Sequence, residues 1–201
     1  MWLKEIDMDK WFKIKKGPFS ISFHNRELLA YYDHYLMYFD LDETNIVPDS
    51  GKWTIEEIST DNVYDCSNDI FSCGRMKRYL LQKTDCVKGF LFREPVTNQV
   101  VGFLWAMCHG ENEFQYRVRK ADALIFDVYV SPKFRGLGIC GEMFQHMFGY
   151  LKNQQLKMIV LGVRTDNASA IRAYKKLGGI IKSRKRWIQL CHRYNLPYYS
   201  V

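Results

Sequence analysis

The sequence predicts an α/β domain built on a mixed β-sheet, and three features point to it. Two strand-like runs, Val87 to Arg93 and Val100 to Met107, are joined across Glu94-Pro95-Val96-Thr97-Asn98-Gln99, whose turn formers favour an antiparallel hairpin. From Ala123 onward, apolar runs alternate with helix-period segments in the order strand, loop, helix, strand, helix, strand. The composition, 47% hydrophobic, 15% aromatic and 25% charged, supplies a sizeable core and excludes a disordered or fibrous chain. A chain of 201 residues accommodates one domain with an appendage rather than two full-sized domains. The expected division is an N-terminal appendage over 1–50 and a main domain over 51–201.

Within the appendage, Gly17-Pro18 marks a turn and Phe19 to Phe23 a short strand. Asn25 then reads as the N-cap of a helix with Leu28, Tyr32, Leu36 and Phe39 on one face, at spacings of four, four and three. Its other tyrosines, Tyr31, Tyr35 and Tyr38, suit either packing or a substrate pocket, packing being the commoner use. Asp40 to Gly51, with Pro48 and Gly51, reads as a linker. Trp53 to Ile58 is a strand, Asp61 caps a short helix, and Gly74 to Lys83 is a second helical piece. Ala123 to Val130 is apolar enough for a central strand. After the glycine-rich loop, Ile139, Met143, Met147, Tyr150 and Leu151 define a helix to about Asn153, and Met158 to Val163 a buried strand. Asn167 caps a helix bearing Ile171, Tyr174 and Leu177, which Gly178-Gly179 stop, and Ile180 to Leu190 form a last, basic strand.

Several function classes recede on composition alone. The start, Met1-Trp2-Leu3-Lys4-Glu5-Ile6-Asp7, lacks the apolar run of a secretory signal, and no later run is long enough to span a bilayer, so a soluble cytoplasmic protein without a membrane partner is expected. The cysteines, Cys66, Cys73, Cys86, Cys108, Cys140 and Cys191, contain no CxxC and are read as free thiols. A metal site from Cys66, Cys73, Cys86 and Cys108-His109 would match no ligand spacing, so no metal is expected. His24, His34, His146 and His192 are scattered and read as structural or surface residues. The net charge of +7 is uneven: an acidic stretch from Asp40 to Asp69, relieved only by Lys52, leaves the remainder more basic, which suits either two solvated faces, the commoner case, or a protein whose basic part meets an anion and whose acidic part meets a cation or amine.

The segment Arg-Gly-Leu-Gly-Ile-Cys-Gly-Glu, 135–142, contains Gly136-x-Gly138-x-x-Gly141, the spacing of a dinucleotide-binding turn. Three features reject that fold. The preceding strand ends near Val130 with Ser131 to Arg135 intervening, too little chain remains for repeated parallel units, and no acidic residue ends the strand Met158 to Val163. The anion-binding physics survives, because Gly136 and Gly138 let backbone approach a ligand and the amides around Gly138 to Gly141 open a helix N-terminus. Lys133 and Arg135 add positive charge that a plain solvent turn does not need.

Val128-Tyr129-Val130-Ser131-Pro132-Lys133-Phe134-Arg135-Gly136-Leu137-Gly138-Ile139 resembles the acetyl-CoA signature of the GCN5-related N-acetyltransferase (GNAT) superfamily. Asn167-Ala168-Ser169-Ala170-Ile171-Arg172-Ala173-Tyr174-Lys175-Lys176-Leu177-Gly178 resembles that superfamily's later helix, and the resemblance extends loosely over 53–186. It implies a mixed, partly split sheet flanked by helices, with CoA at the splay between the central strands. It also implies that Arg135 and the 136–141 backbone (Gly136, Leu137, Gly138, Ile139, Cys140, Gly141) hold the pyrophosphate, while Val128, Tyr129 and Val130 bond the pantetheine arm. Asn167 would cap its helix near that arm, Arg172 and Lys175 would neighbour the 3'-phosphate, and Tyr174 would place its hydroxyl near the sulfur.

Cys140 stands where the family prefers Gly or Ala, and its place beside cations at a helix N-terminus favours thiolate unless burial suppresses it. Phe126 occupies the position of a glutamate found in some members, and Asp127, one residue on, can share its cleft only across a bulge. The implied function is acetyl transfer from acetyl-CoA, a substrate rather than a resident cofactor, to a primary amine of unidentified kind, with Asp127 or water taking the proton and Tyr174 protonating the thiolate. The alternatives are a non-catalytic acyl-CoA-binding module and a nucleic-acid patch at Lys182-Ser183-Arg184-Lys185-Arg186-Trp187, where a charged edge strand is the simpler reading. A homodimer is compatible with the sequence.

Overall fold

The computed structural model describes residues 12–15, 20–23, 26–66, 77, 80–81, 87–108, 112–113, 116–117, 122–190 and 194–197. In chain order the strands are β1 (Phe12–Lys15), β2 (Ser20–Phe23), β3 (Arg26–Asp40), β4 (Thr54–Glu57), β5 (Val87–Arg93), β6 (Val100–Cys108), β7 (Asn112–Glu113), β8 (Tyr116–Arg117) and β9 (Asp122–Val130). They are followed by helix α1 (Ile139–Asn153), strand β10 (Met158–Arg164), helix α2 (Ala168–Lys176), and strands β11 (Ile180–Leu190) and β12 (Tyr194–Pro197). The main sheet runs β1-β2-β3-β10-β9-β6-β5-β4, with β11 joined to β3 and to β12. Its single parallel pair is β9 with β10, and the other described pairs of that sheet are antiparallel, so the sheet is mixed as the sequence predicts.

The expected helix after Asn25 is a strand instead. β3 pairs with β2 over Arg26–Ala30 and with β10 over His34–Asp40, while β11 lies along its other side. The reason lies in its side chains: Met37 and Phe39, with Tyr35, enter the core beneath the helices, and Leu36, with Tyr38, enters a smaller cluster with Leu124 and Val160. A segment apolar on both faces and rich in aromatics suits a strand buried within a sheet, and its four-residue spacing is a by-product of that continuity. Tyr35 and Tyr38 therefore pack rather than line a pocket; the side chain of Tyr31 lies outside the described residues, as do most of 74–83 and the positions Cys73, Cys86, His109 and Cys191. Cys66, Cys108 and Cys140 are free thiols.

Successive residues of β5 and β6 serve opposite faces, so two cores form. Phe90, Phe92, Leu104 and Ala106 meet α1 through Met143, Phe144, Met147 and Phe148, while Leu91, Phe103, Trp105 and Met107 meet Ile58, Val63 and Cys66 behind the sheet. A short 3-10 turn, Val63–Cys66, stands where a helix capped by Asp61 was expected. The linker after β3 straps α1: Gln145 Oε1 accepts from the Val47 amide at 2.9 Å, and Ser50 donates to Glu142 at 2.6 Å.

Much of the acidic stretch is matched internally. Arg93, only 8% exposed, reaches Glu56 at 3.2 Å and Asp65 at 2.5 Å, and Lys88 reaches Glu57 at 2.5 Å. The basic run on β11 is matched likewise: Arg184 donates to Asp33 on β3 at 2.7 Å, and the Lys182 ammonium lies 5.2 Å from the Tyr38 ring. Because β12 covers only Trp187–Leu190, Ile180–Arg186 have no strand on that edge among the described residues, and their charge suits such an edge.

The C-terminus of α2 fixes that helix against β3. Gly178 adopts φ +90°, its amide donates to Lys175 O at 3.1 Å, and the Gly179 amide donates to Tyr174 O at 2.9 Å, a Schellman stop as the sequence predicts. At Gly179 an added Cβ would lie 2.8 Å from the Phe39 ring and 2.8 Å from Tyr174 O. Gly179→Ala is therefore expected to cost about 2 kcal/mol through overpacking and to lower the melting temperature by roughly 4–8 °C. At Gly149, inside α1, the nearest atom to an added Cβ is 3.9 Å away, so Gly149→Ala should hold or raise the melting temperature. Thermal melts of both variants beside the parent check the pair.

Candidate active site

The β9–β10 pairing runs from Asp122↔Met158 to Ile125↔Leu161 and stops. Beyond it each strand follows its other neighbour, β9 to β6 through Val130↔Gly102 and β10 to β3 through Arg164↔His34. The two strands part and leave a gap. One edge of β9 after Ile125 thus lacks a strand partner among the described residues and offers backbone groups to the gap.

A bulge shapes the β9 wall. Across Phe103↔Tyr129 and Trp105↔Phe126, Leu104 alone opposes Asp127 and Val128. Asp127 absorbs the extra residue at φ +46°, an uncommon conformation for a residue with a side chain. The inserted residue resets the alternation: Ala123 and Ile125 face the helix-side core, and so do Val128 and Val130. Phe126 and Asp127 both line the gap, the arrangement that the sequence admits only with a bulge.

The gap holds two neighbouring spaces. The larger, about 710 Å³, is walled by Val128, Tyr129 and Val130 on β9, by the loop and first turn of α1 (Arg135, Gly136, Gly138, Ile139, Cys140, Gly141), and by α2. From α2 come Asn167, Arg172 and Tyr174, together with Ser169, Ala170 and Lys176, which the sequence reading did not single out. Arg135, Arg172 and Lys176 give this lining positive charge, and among the described residues it contains no carboxylate. Leu137, 56% exposed, and Lys175, also exposed, stand outside this lining, whereas Lys176 is part of it. The smaller recess, about 250 Å³, is lined by Asp127 and Phe126, by Gly162 to Arg164, and by His34 on β3. The two spaces share Val128, Asn167 and Tyr174.

The loop has a geometry that can receive an anion. Gly136 and Gly138 both take φ +83°, and an added Cβ at either would meet nothing within 4 Å, so these glycines are set by backbone conformation and an open approach rather than by neighbouring protein. Gly138 N-caps α1 without a side-chain cap, and its carbonyl accepts from Gly141 at 2.8 Å and Glu142 at 3.3 Å. The preceding amides of Ile139 and Cys140 fall before the helix's first intrahelical bonds, and both residues line the space at the positive end of the dipole. Arg135 is anchored by donating from Nε to Val130 O at 3.1 Å, which ties the loop to the end of β9. Asn167 caps α2, its Oδ1 accepting from the Ala170 amide at 3.2 Å.

Burial governs the titrating groups. It pushes the Cys140 thiol up to about 11, so thiol, not thiolate, stands at the helix N-terminus; desolvation outweighs the dipole and the nearby cations that pointed the other way. The Tyr174 hydroxyl, 7% exposed as a residue, is pushed above the ordinary phenol range by burial and then by Cys140, so it remains a proton donor at neutral pH. Burial also holds the His34 imidazole below its ordinary 6.5, with Arg164 adding to the effect and Asp33 and Asp166 opposing it. His34 also lines the recess, a place that a lone histidine in an expected helix gave no hint of, since a strand delivers it here. Among the described residues no helix is long and apolar enough to cross a membrane, and no cluster of metal-ligating side chains forms.

Comparison with known proteins follows the same lines. The Acetyltransferase (GNAT) family matches residues 55–179, which covers the hairpin, the loop, α1 and α2. A mycothiol acetyltransferase of Saccharomonospora viridis is 32% identical over 90 residues, 45% of this chain and 29% of that protein. An uncharacterized N-acetyltransferase of Methanocaldococcus jannaschii is 30% identical over 106 residues, 52% of this chain and 45% of that protein. The chain spans less than half the length of these relatives. Among solved structures, a GCN5-related N-acetyltransferase from Sphaerobacter thermophilus superposes with a TM-score of 0.57 at 16% identity, covering 90% of this chain and 53% of that one. A tandem GNAT protein from the clavulanic acid biosynthesis pathway gives 0.58 at 13% identity over 80% and 54%. With more than half of its length matched to the family, and with the loop, the split sheet and the capped helix where the sequence resemblance put them, the chain belongs to the GNAT acetyltransferase family.

Proposed function

We propose that this protein transfers an acetyl group from acetyl-CoA to a primary amine in a ternary complex. One observation carries the reading: a cation-lined space at a helix N-terminus and a recess bearing a carboxylate meet at a single buried phenol, Tyr174. The larger space takes acetyl-CoA, its pyrophosphate on the 136–141 amides and Arg135, its 3'-phosphate near Arg172 and Lys176, with Lys175 outside. The pantetheine amides pair with the free edge of β9 at Val128 to Val130, as an added strand would. Asn167, as cap of α2, keeps Tyr174 at the sulfur.

The acceptor enters by the recess, where Asp127 attracts its ammonium form. Once neutral, the amine attacks the thioester carbonyl; the C–N bond forms, and the developing oxyanion is met by a backbone amide at Val128 beside the bulge. The tetrahedral centre collapses with loss of the C–S bond. Tyr174 gives its proton to the departing sulfur and recovers one from the nitrogen. Holding both reactants side by side supplies much of the acceleration through orientation. The acceptor is a primary amine, as a class rather than one compound. The reading is tested by thiol release from acetyl-CoA across a panel of primary amines. Amine-dependent release with an acetylated product is expected, whereas tight acetyl-CoA binding without release for any amine would leave a non-catalytic binding module.

Two predictions follow from the burial of Tyr174 and Cys140. Tyr174→Phe keeps the ring packed 5.1 Å from Phe144, so melting temperature and acetyl-CoA affinity should hardly change while kcat falls by roughly a hundredfold. Steady-state kinetics beside calorimetry check this, and an unchanged kcat would remove Tyr174 from the mechanism. For Cys140, a thiol titrating near 11 should alkylate slowly at pH 7.5, and faster by about tenfold per pH unit until that value is approached. Saturating CoA should slow labelling at every pH, as read by mass spectrometry; the same rate with and without CoA would separate Cys140 from the donor site.

A further inference from the structure

The recess is closed on one side by a strand that lies outside the matched family segment. His34 sits on β3, opposite Arg164 at the last β3–β10 pair and opposite Lys185 on β11. It is half-buried, its imidazole stacks on Tyr32 with ring centres 6.0 Å apart, and it lines the same 250 Å³ recess as Asp127 and Tyr174. The adjoining residue fixes its place: Asp33 O accepts from the Thr165 amide at 3.0 Å, and the Asp33 side chain is held by Arg184, so β3 is clamped where β10 turns toward α2.

Resting on the acetyltransferase reading, we propose that His34 is the base that takes the proton from the acceptor ammonium, with Asp127 holding that cation in the recess. Two groups then divide the proton traffic. His34 accepts one proton from the ammonium, which frees the nitrogen lone pair; the amine forms the C–N bond, the C–S bond breaks, and Tyr174 protonates the sulfur and is reprotonated by the nitrogen. One proton per turnover leaves through His34 to solvent, which balances an ammonium and a thioester against an amide and a thiol. An imidazole suits this role because it must be neutral to accept.

The charges that face it come from several elements. Arg164 on β10 disfavours the imidazolium, while Asp33 on the same strand and Asp166 after β10 favour it; Lys185 is the cross-strand neighbour on β11, Asp127 lies across the recess on β9, and Tyr174 comes from α2. Burial, the largest influence, keeps the group neutral at pH 7.

The sign of the pH dependence follows. Below the His34 pKa the imidazole is protonated and cannot accept, so kcat/KM should fall as pH drops through a value under 6.5. His34→Gln should lose kcat by about a hundredfold at pH 7, regain much of it at alkaline pH where the amine deprotonates in solution, so that the acid limb moves from under 6.5 up to the amine's own pKa, and bind acetyl-CoA with unchanged affinity. An unaltered acid limb in a folded His34→Gln protein overturns the assignment. A second measurement does not depend on turnover: NMR titration of the wild-type His34 ring with and without acetyl-CoA. A pKa below 6.5 that shifts when acetyl-CoA fills the adjoining space supports the placement. An ordinary pKa indifferent to acetyl-CoA overturns it, even if no amine in the panel is acetylated, an outcome that would count separately against the acetyltransferase reading.

Discussion

The early end of the β9–β10 ladder is the constraint on which the rest of the structure depends. Two parallel strands that stayed paired past Ile125↔Leu161 would bury their backbone groups in each other and leave no site. Where they part, each keeps its other neighbour: the end of β9 stays on β6 and the end of β10 on β3. Tyr174 on α2 and the first turn of α1 then face the gap from the helix layer, which is why a hydroxyl, helix amides and an open strand edge converge without a long loop.

The bulge at Asp127 answers a second requirement. β9 must present apolar residues to the helix-side core both before and after the split, at Ala123 and Ile125 and again at Val128 and Val130, yet deliver a carboxylate to the gap between them. With the carboxylate at Asp127 and the core resumed at Val128, strict alternation cannot do this, and one extra residue at φ +46° can. Such a conformation costs about 1–3 kcal/mol and is retained only where surrounding packing over-determines it, as the β6 partners and α1 do here.

Much of this was legible in the sequence, and the failures have physical causes. The hairpin, β9, α1, β10, α2 and β11 were readable because each couples a clear period to a clear terminus; Asn167 and Gly178-Gly179 bracket α2 by capping chemistry alone. The glycine loop was readable because φ near +83° and an open approach both demand glycine. Arg26–Asp40 misled because a strand apolar on both faces also satisfies a spacing of four, and no local signal distinguishes the two when the deciding partners, β10 and β11, lie more than a hundred residues away. His34 was lost with it, since a side chain's place in a cleft depends on the strand that carries it. The thiol of Cys140 misled differently: dipole and cations are visible in sequence, burial is not, and burial is the larger effect.

The central claim is that the loop amides, the free edge of β9 and the N-terminus of α2 form one acetyl-CoA site. Amide hydrogen exchange with and without saturating acetyl-CoA, read by mass spectrometry, tests it most directly. The account predicts slowed exchange concentrated in 128–141 and 167–174, with β4 to β6 little changed apart from the stretch against the bulge. Exchange in 128–141 that ignores acetyl-CoA, or protection confined to another part of the surface, would contradict it.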